Sequence, residues 1–484
     1  MIGITAIGAY LPRLRLSRQL AVDSLGRPSP DIAAGQTGMR SVCDFDEDTL
    51  TMAHEAARRC LRDTDRPSVD GAYLCSTTLP FADRQNAVIQ KTALGLTDRL
   101  ETADFAGSLR AGTTGLLAAL SAVRSGEKKS VLVTAAEKRL APPGSPDELF
   151  QGDGAAALLV GDTDPVAEFL GSISIARDFV DHYRRSDNAF DYRWEDRWSV
   201  DTVLLPAVKE ALAGLLEKLQ LQRSDIDTLV IPAPTAAVHA RIRRSVSLPE
   251  ERFQDPLLDA VGNTGAAHPL LLTAAALEQA SPGQLIVSLG VGSGVDALCF
   301  RVRRTTANRT LSHAIETGTA LESYTGFLAR RGLIEIAEGI RGEIQTKTAL
   351  SVLQREQDTV LSLAGGQCAR CGTPQFPKSR ICVNPACRAP DTQDAYDFAN
   401  RNARIRTYTG DFLLPTPNPP ALYGLIQFDG GGRMHTEFCD CTLDELSVGG
   451  PVRMVFRKRY DDSERGFIGY FWKATPIRNA GGLP

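Results

Sequence analysis

Four cysteines near the C-terminus have the spacing of a metal site. Cys368 and Cys371 are separated by two residues, ten residues follow, and Cys382 and Cys387 are separated by four. Two thiolate pairs at this spacing can converge tetrahedrally on Zn²⁺, and Gly372 eases the turn of the first pair. Because all four ligands are protein side chains, such a site is structural and has no open position for a substrate. The alternative is four unrelated buried thiols.

The composition indicates a globular protein with reduced thiols. The 484 residues are 43% hydrophobic and 23% charged, and the net charge of −4 disfavours a chain that coats nucleic acid or an anionic membrane. No apolar run is long enough to predict a spanning helix. The first residues carry neither a basic region nor a cleavage site, so we expect no signal peptide and a cytoplasmic location.

Residues 1–305 alternate apolar runs with segments of helical period, which predicts an α/β layered fold. The predicted strands are Ser130–Ala136, Ala155–Val160, Thr228–Ile231 and Gln284–Leu289, and the predicted helices are Thr113–Arg124, Leu204–Leu219 and Leu270–Ala280. An internal repeat is also visible. The segment Gly152–Val160 resembles Gly292–Phe300, since each is a glycine-rich turn that leads into an apolar strand. The repeat predicts two similar halves in one domain.

The composition and the predicted secondary structure of the sequence change near Leu353. Residues 306–350 are mixed and charged, and we interpret them as connecting helices on the first domain. A helix ending near Leu363 and the cysteine cluster follow. The remaining sequence has short β-type runs separated by proline and glycine turns, which predicts a small barrel. The runs are 404–408, 421–428, 452–456 and 467–471.

Several motifs of the first 300 residues resemble the thiolase superfamily, specifically its branch of 3-hydroxy-3-methylglutaryl-CoA synthases and ketoacyl synthases III. They are Gly3–Arg13, Asp46–Ala53, Arg110–Gly115, Gly152–Ala157, Gly262–Thr264 and Gly292–Gly294. The resemblance implies a five-layer α/β/α/β/α fold over 1–350, an acyl-CoA thioester as substrate, and a homodimer. Residues 353–395 and 396–484 resemble the zinc ribbon and OB-fold of proteins that accompany thiolase-like enzymes. In that partnership the barrel is thought to cover the CoA tunnel.

Enzymes of this branch use a cysteine nucleophile, a glutamate and a histidine. Aligned without gaps to each local motif, the three positions are occupied here by Leu109, Thr77 and Pro232. Leucine has no lone pair that attacks a thioester, and proline cannot shuttle a proton. The resemblance therefore implies a site that forms no acyl-cysteine. A one-residue shift in register would instead place Ser108 at the position of the nucleophile.

Other parts of the family's machinery have counterparts in this sequence. If Leu109 opens a helix, its backbone N–H stabilises an oxyanion without a side chain. Asn263 lies in the matching Gly-Asn-Thr turn and carries the amide that the family uses for the same oxygen. His268 is five residues further on and is a candidate base, although a histidine that packs or caps its helix explains it equally well. The stretch 178–198 corresponds to the family's substrate entrance, and its aromatic residues are predicted to line an acyl pocket, unless packing alone explains them. They are Tyr183, Tyr192, Trp194 and Trp198.

Three functions follow from these residues. The leading hypothesis is an acyl-CoA-dependent enzyme that makes or breaks a carbon–carbon bond by aldol or Claisen-type chemistry through a thioester enolate. The second is a non-catalytic acyl-CoA-binding scaffold for a competent thiolase-like partner. The third is an acyltransferase that uses Ser108 or Cys75. Nucleic-acid binding by the barrel is disfavoured, because its charges are mixed and no basic stripe alternates with aromatic residues.

Overall fold

The computed structural model describes residues 1–26, 37–336 and 349–478. These residues form two compact units, one of Met1–Lys91 and Leu96–Leu333 and the other of Thr92–Gly95 and Ile334–Pro484. The last part of the predicted connecting segment, 337–348, lies outside the described residues. Within the described ranges, no helix has both the length and the apolar character needed to cross a bilayer.

The first unit alternates strands and helices, as its sequence predicts. Its strands are β1 Gly3–Tyr10, β2 Leu14–Ser17, β3 Met39–Val42, β4 Gly71–Cys75, β5 Glu101–Phe105, β6 Ser130–Glu137, β7 Gly154–Gly161, β8 Ala167–Ala176, β9 His182–Tyr183, β10 Tyr192–Arg193, β11 Thr228–Val230, β12 Leu285–Val291, β13 Gly294–Val302 and β14 Thr319–Ala320. Its helices are α1 Arg18–Leu25, α2 Thr49–Cys60, α3 Asn86–Ala93, α4 Ala111–Arg124, α5 Pro146–Phe150, α6 Asp196–Trp198, α7 Leu205–Leu219, α8 Ala236–Val246, α9 His268–Gln279, α10 Thr310–Glu316 and α11 Tyr324–Arg330.

Nine strands form one sheet that consists of two halves. The strand order is β11-β12-β13-β8-β1-β7-β6-β4-β5, and the halves join where β1 and β8 pair over Gly3 and Ile4. Reading outward from that junction, the orders β1-β7-β6-β4-β5 and β8-β13-β12-β11 correspond strand by strand. A single bridge between Leu229 and Phe253 stands at the fifth position of the second half. The predicted duplication is confirmed, because β7 and β13 begin at the repeated glycines Gly154 and Gly294.

Helices α4 and α9 lie between the two halves and contact each other and strands of both. The central position explains why the residues of α9 from His268 to Glu278 are all buried. Helix α2 packs on β1, β6 and β7, whereas α7 packs on β8 and β13. The order of layers is therefore helix, half-sheet, central helices, half-sheet and helix, which confirms the five-layer prediction.

The second unit contains two short helices, a three-stranded ribbon and a five-stranded barrel. The helices are α12 Leu350–Arg355 and α13 Gln357–Leu361, and the strands are β15 Ala364–Cys368, β16 Pro374–Gln375, β17 Gln393–Asp397, β18 Asn402–Asp411, β19 Ala421–Phe428, β20 Arg433–Glu437, β21 Pro451–Asp462 and β22 Phe467–Pro476. The barrel sheet has the order β20-β19-β18-β21-β22. A bridge between Phe438 and Ala474 joins its two edges, as closure of a small barrel requires.

Candidate active site

One cavity of the first unit lies where turns from both halves meet. Leu109 follows β5, Pro232 follows β11, and Asn263 precedes α9. All three side chains line the cavity. The structure therefore brings together three positions that the sequence analysis singled out, and Leu109 lies more than 100 residues from the other two in the sequence.

The turn that carries Leu109 is fixed by contacts with the second half. The Ser108 hydroxyl donates to the Gly292 carbonyl at 2.8 Å, and the Arg110 guanidinium donates to Asp296 at 3.1 Å. Helix α4 begins at Ala111, so Leu109 precedes the helix by two residues and does not open it as predicted. The Ser108 side chain is engaged with Gly292 and is not part of the cavity wall.

Gly292 has no side chain that would block the backbone N–H of Leu109. Its φ is +152°, and a Cβ added there would lie 2.9 Å from the Leu109 nitrogen and 2.8 Å from the Ser108 Oγ atom. Only glycine permits such a close approach without displacing the turn. In the described part of the chain, the Leu109 N–H meets no hydrogen-bond acceptor. This group is therefore available to a developing oxyanion.

Asn263 is held by the loop that enters β7. Its backbone N–H donates to the Phe150 carbonyl at 2.7 Å, and its carbonyl accepts from Gly152 at 2.9 Å. The side-chain oxygen accepts from the Gly265 N–H at 2.8 Å, so the amide NH₂ group is the end that can donate elsewhere. One of its contacts is a long bond of 3.3 Å to the Ala233 carbonyl.

Thr77 lies outside the cavity wall, in a turn that binds a buried carboxylate. Glu137, at the end of β6, accepts from the Thr77 N–H at 3.1 Å and the Thr77 hydroxyl at 3.0 Å. It also accepts from Ser76 at 3.0 Å, Thr78 at 2.6 Å and the Ala266 N–H at 3.0 Å. The sequence analysis missed Glu137, which is fully buried. Its carboxylate connects the turn that contains Thr77 with the turn that contains Ala266.

His268 is buried in the core and is not part of the cavity wall. Its Nδ1 atom accepts from the Thr264 N–H at 3.3 Å and lies 3.1 Å from the Thr264 hydroxyl. Burial lowers the pKa of His268 to about 4. Of the two alternatives left open by the sequence, these contacts are those of a histidine that packs at the start of its helix.

Acid is expected to destabilise the first unit through His268 and His239. Burial, reinforced by Arg243, also lowers the pKa of His239 to about 4. An unfolded histidine titrates near 6.5. As the pH falls from about 6.5 towards 4, the unfolded chain therefore binds more protons than the folded chain does. Stability is therefore full above this window and falls within it, by about 2 kcal/mol for each histidine between pH 7 and pH 5.

Urea unfolding at pH 7 and pH 5 measures this loss. The exposed His435 of the barrel provides the control, and His435→Gln should leave the difference unchanged. His239→Leu should reduce it, because one of the two imidazoles with a lowered pKa is gone. An unfolding midpoint in the unsubstituted chain that is the same at both pH values would contradict the prediction.

A short hairpin of β9 and β10 supplies the polar wall of the cavity. His182 pairs with Arg193 across the hairpin, and both side chains line the cavity together with Asp181. The four aromatic residues predicted to line an acyl pocket are not part of this wall. They are about half exposed, at 50% for Tyr183, 56% for Tyr192, 47% for Trp194 and 54% for Trp198.

Asp181 and His182 form a hydrogen-bonded pair. The His182 Nδ1 atom lies 3.0 Å from the Asp181 Oδ1 atom, and the His182 backbone N–H donates to the same oxygen at 2.8 Å. Burial opposes ionisation of Asp181, but the hydrogen bonds and charge of His182 outweigh it and lower the pKa of the carboxyl group. The carboxylate thus fixes the ring and leaves Nε2 as the proton acceptor.

Two ion pairs neutralise the arginines of the cavity. Arg193 contacts Asp147 at 2.7 Å, and Arg139 contacts Asp191 at 2.6 Å. Sequence reasoning missed these charged residues as a group. For Asp191 and Arg193 the available signal was the concentration of charge within 178–198.

The four cysteines of the ribbon are brought together as predicted. Their sulfur atoms all lie within 4.8 Å of one another. The distances are 3.9 Å between Cys368 and Cys387 and 3.5 Å between Cys371 and Cys382. A tetrahedral zinc site with Zn–S bonds of about 2.3 Å has sulfur atoms about 3.8 Å apart. The geometry and the donor set therefore fit Zn²⁺.

Comparison with known proteins agrees with this architecture. Residues 216–303 match the model of the C-terminal part of 3-oxoacyl-(acyl-carrier-protein) synthase III. Residues 398–457 match the C-terminal OB-fold domain of ChsH2. A solved structure of HMG-CoA synthase complexed with CoA aligns with a TM-score of 0.62 at 19% identity, and the alignment covers 72% of this chain and 94% of that one.

Two archaeal enzymes are more similar in sequence. The hydroxymethylglutaryl-CoA synthase of Methanopyrus kandleri is 32% identical over 307 residues, which are 62% of this chain and 87% of that protein. The hydroxymethylglutaryl-CoA synthase of Archaeoglobus fulgidus is 32% identical over 308 residues, covering 62% of this chain and 89% of that protein. At this identity and coverage, the chain belongs to the hydroxymethylglutaryl-CoA synthase family.

Proposed function

We propose that this chain binds an acyl-CoA thioester and makes or breaks the bond between its α- and β-carbons, without an acyl-enzyme intermediate. Its family relatives are named as synthases of an acyl-CoA, and a structural neighbour was solved with CoA bound. The finding that carries the proposal is the cavity wall. At the position that the sequence resemblance matches to the family's nucleophile, this wall offers the apolar side chain of Leu109 beside a backbone N–H that has no acceptor in the described structure.

This arrangement suits a thioester enolate. When a base removes the α-proton, the electron pair of the C–H bond forms the carbon–carbon double bond of the enolate, and the π pair of the carbonyl moves to the thioester oxygen. The Leu109 N–H and the Asn263 amide are the donors proposed to hold the resulting negative charge. In the condensing direction the enolate carbon then attacks the carbonyl carbon of the second substrate, whose oxygen takes up a proton. The reverse sequence is a retro-aldol cleavage, and neither direction needs a nucleophilic side chain.

Two measurements on the full chain test the proposal with saturated acyl-CoAs of two to twelve carbons. In D₂O, the enolate should exchange the α-protons of a bound thioester, which mass spectrometry of the recovered acyl-CoA detects. Intact-protein mass spectrometry should find no acyl adduct. An adduct that is lost in Ser108→Ala would replace the proposal with a serine acyltransferase, although the Ser108 hydroxyl donates to Gly292 in this structure.

Tight binding of every acyl-CoA without any α-proton exchange would favour the second function, a scaffold for a competent thiolase-like partner. The observation in its favour is that none of the three matched positions, Leu109, Thr77 and Pro232, carries a thiol or a titratable base. Exchange that starts only when a partner with an intact cysteine is added would establish this function.

Two further features belong to the proposal. We propose that the ribbon cysteines hold a structural Zn²⁺, because four thiolates complete a tetrahedral set and stabilise a segment with little core of its own. We also propose a homodimer. Strand β5 is an edge of the nine-stranded sheet, and an edge strand offers unpaired backbone groups to a second copy.

A further inference from the structure

We infer that His182, oriented by Asp181, is the general base and acid of this site. The inference rests on the proposed function and names the residue that performs its proton transfers. Neither residue occupies a position where the family has its cysteine, glutamate or histidine. The pair is instead supplied by the β9–β10 hairpin, whose two strands put His182 directly opposite Arg193.

Among the described groups of the cavity wall, elimination leaves the Nε2 atom of His182 as the proton acceptor. The carboxylates and imidazoles that line the cavity are Asp147, Asp181 and His182. Asp147 is paired with Arg193 at 2.7 Å, and the Asp181 carboxylate is bonded to the His182 ring at 3.0 Å. The described structure shows no partner for the Nε2 atom of His182. This atom is therefore the available proton acceptor of the cavity.

Asp181 is a positioning residue in this arrangement. Its Oδ1 atom accepts from both the ring and the backbone of His182, so the imidazole has one orientation and one tautomer. A carboxylate in this position also stabilises the imidazolium that forms when Nε2 takes up a proton. The side chains are partly exposed, at 22% for His182 and 32% for Asp181, so a substrate can reach them.

The proton transfers balance in both directions. For condensation, Nε2 removes the α-proton, the enolate adds to the second carbonyl, and the imidazolium returns a proton to the new alkoxide. For cleavage, Nε2 removes the proton of the β-hydroxyl group and the Cα–Cβ bond breaks. Its electron pair forms the enolate, and the imidazolium then protonates the α-carbon. No oxidant, reductant or third reactant is needed.

The test measures α-proton exchange of saturated acyl-CoAs in D₂O by the full chain and its variants. His182→Gln should slow exchange by about 10²–10⁴-fold and leave acyl-CoA binding, measured by calorimetry, within about threefold. Asp181→Asn should slow exchange less. It should also shift the midpoint of the pH–rate profile downwards, because the carboxylate that favours the imidazolium is gone. A merely structural role of Asp181 would lower the rate without moving this midpoint.

The charged groups of the same wall are kept in these variants, so the pH shift reports on the pair alone. They are Arg139, Asp147 and Arg193. His435→Gln makes the same chemical change at an exposed barrel residue and should not affect exchange.

The same experiment distinguishes failure of the proposed function from failure of the assignment of His182. If the unsubstituted chain exchanges no α-protons with any of the acyl-CoAs, the proposed function is wrong. If the unsubstituted chain exchanges them and His182→Gln retains the rate within about threefold, the proposed function stands and the assignment of His182 is overturned.

Discussion

Cys382→Ser is expected to remove the metal from the ribbon and to unfold residues 364–397, while the thiolase-like unit stays folded. The buried core of the ribbon consists of Cys368, Cys382 and Ala389, with Cys387 packed against it. A core of sulfur atoms and one methyl group cannot offset the entropy of ordering more than 30 residues. Structural zinc contributes about 10–16 kcal/mol in small peptides, and this contribution is what the segment lacks without its ligand.

Metal content and hydrogen exchange measure the effect. The purified chain should hold about one zinc ion after dialysis, and Cys382→Ser should hold far less. Exchange of backbone amides should become fast between Ala364 and Asp397, since this range contains all three strands of the ribbon sheet, β15, β16 and β17. Removing the metal with a chelator from the unsubstituted chain should reproduce both changes.

Cys441→Ser provides a matched control, because Cys441 lies outside the four-cysteine cluster. It should keep the metal and the slow exchange of the ribbon. A chain that contains no zinc but keeps slow exchange in the ribbon would contradict the prediction, as would a Cys382→Ser variant with full metal content.

Most of the regular elements could be predicted because their patterns are local. The buried runs that became β6, β7 and β12 and the helical periods of α4, α7 and α9 are found within one or two residues of the predicted bounds. Strand β20 was missed. Its sequence Arg-Met-His-Thr-Glu alternates correctly, but only Met434 is strongly apolar, so the run resembles a loop until β19 is present beside it.

The two strands of the hairpin that carries His182 had no periodic signal in the sequence. Strands β9 and β10 contain two residues each, which is too short for any periodicity. The position of the hairpin depends on pairs such as Arg193 with Asp147, which are 46 residues apart. Its aromatic residues invited the prediction of an apolar pocket, whereas the cavity uses the charged residues beside them.

The orientation of Ser108 likewise depends on a distant segment. Sequence alone allowed a register in which its hydroxyl replaces the missing thiol. In the structure the hydroxyl donates to Gly292, 184 residues away, and Leu109 is the residue that lines the cavity. The decisive contact is the close approach of a glycine turn, and no local pattern encodes such an approach.

Glu137 also connects turns that are distant in the sequence, and it stabilises the first unit by doing so. We expect Glu137→Ala to lower the free energy of unfolding of the first unit by about 3–5 kcal/mol. The carboxylate accepts from the Ser76 and Thr77 turn of one half and from the Ala266 N–H of the other, at 3.0–3.1 Å. Alanine leaves these donors in a buried site without an acceptor, and each unsatisfied donor costs about 1–3 kcal/mol.

Urea unfolding followed by near-UV circular dichroism measures this loss. Glu127→Ala, at an exposed position just after α4, should change stability by no more than about 0.5 kcal/mol. Glu137→Gln keeps the shape and one carbonyl acceptor, so its loss should lie between those of the other two variants. Because Gly265 lines the cavity next to Ala266, Glu137→Ala should also weaken acyl-CoA binding. A decrease in the free energy of unfolding below about 1 kcal/mol would mean that the two turns keep their positions without the Glu137 carboxylate.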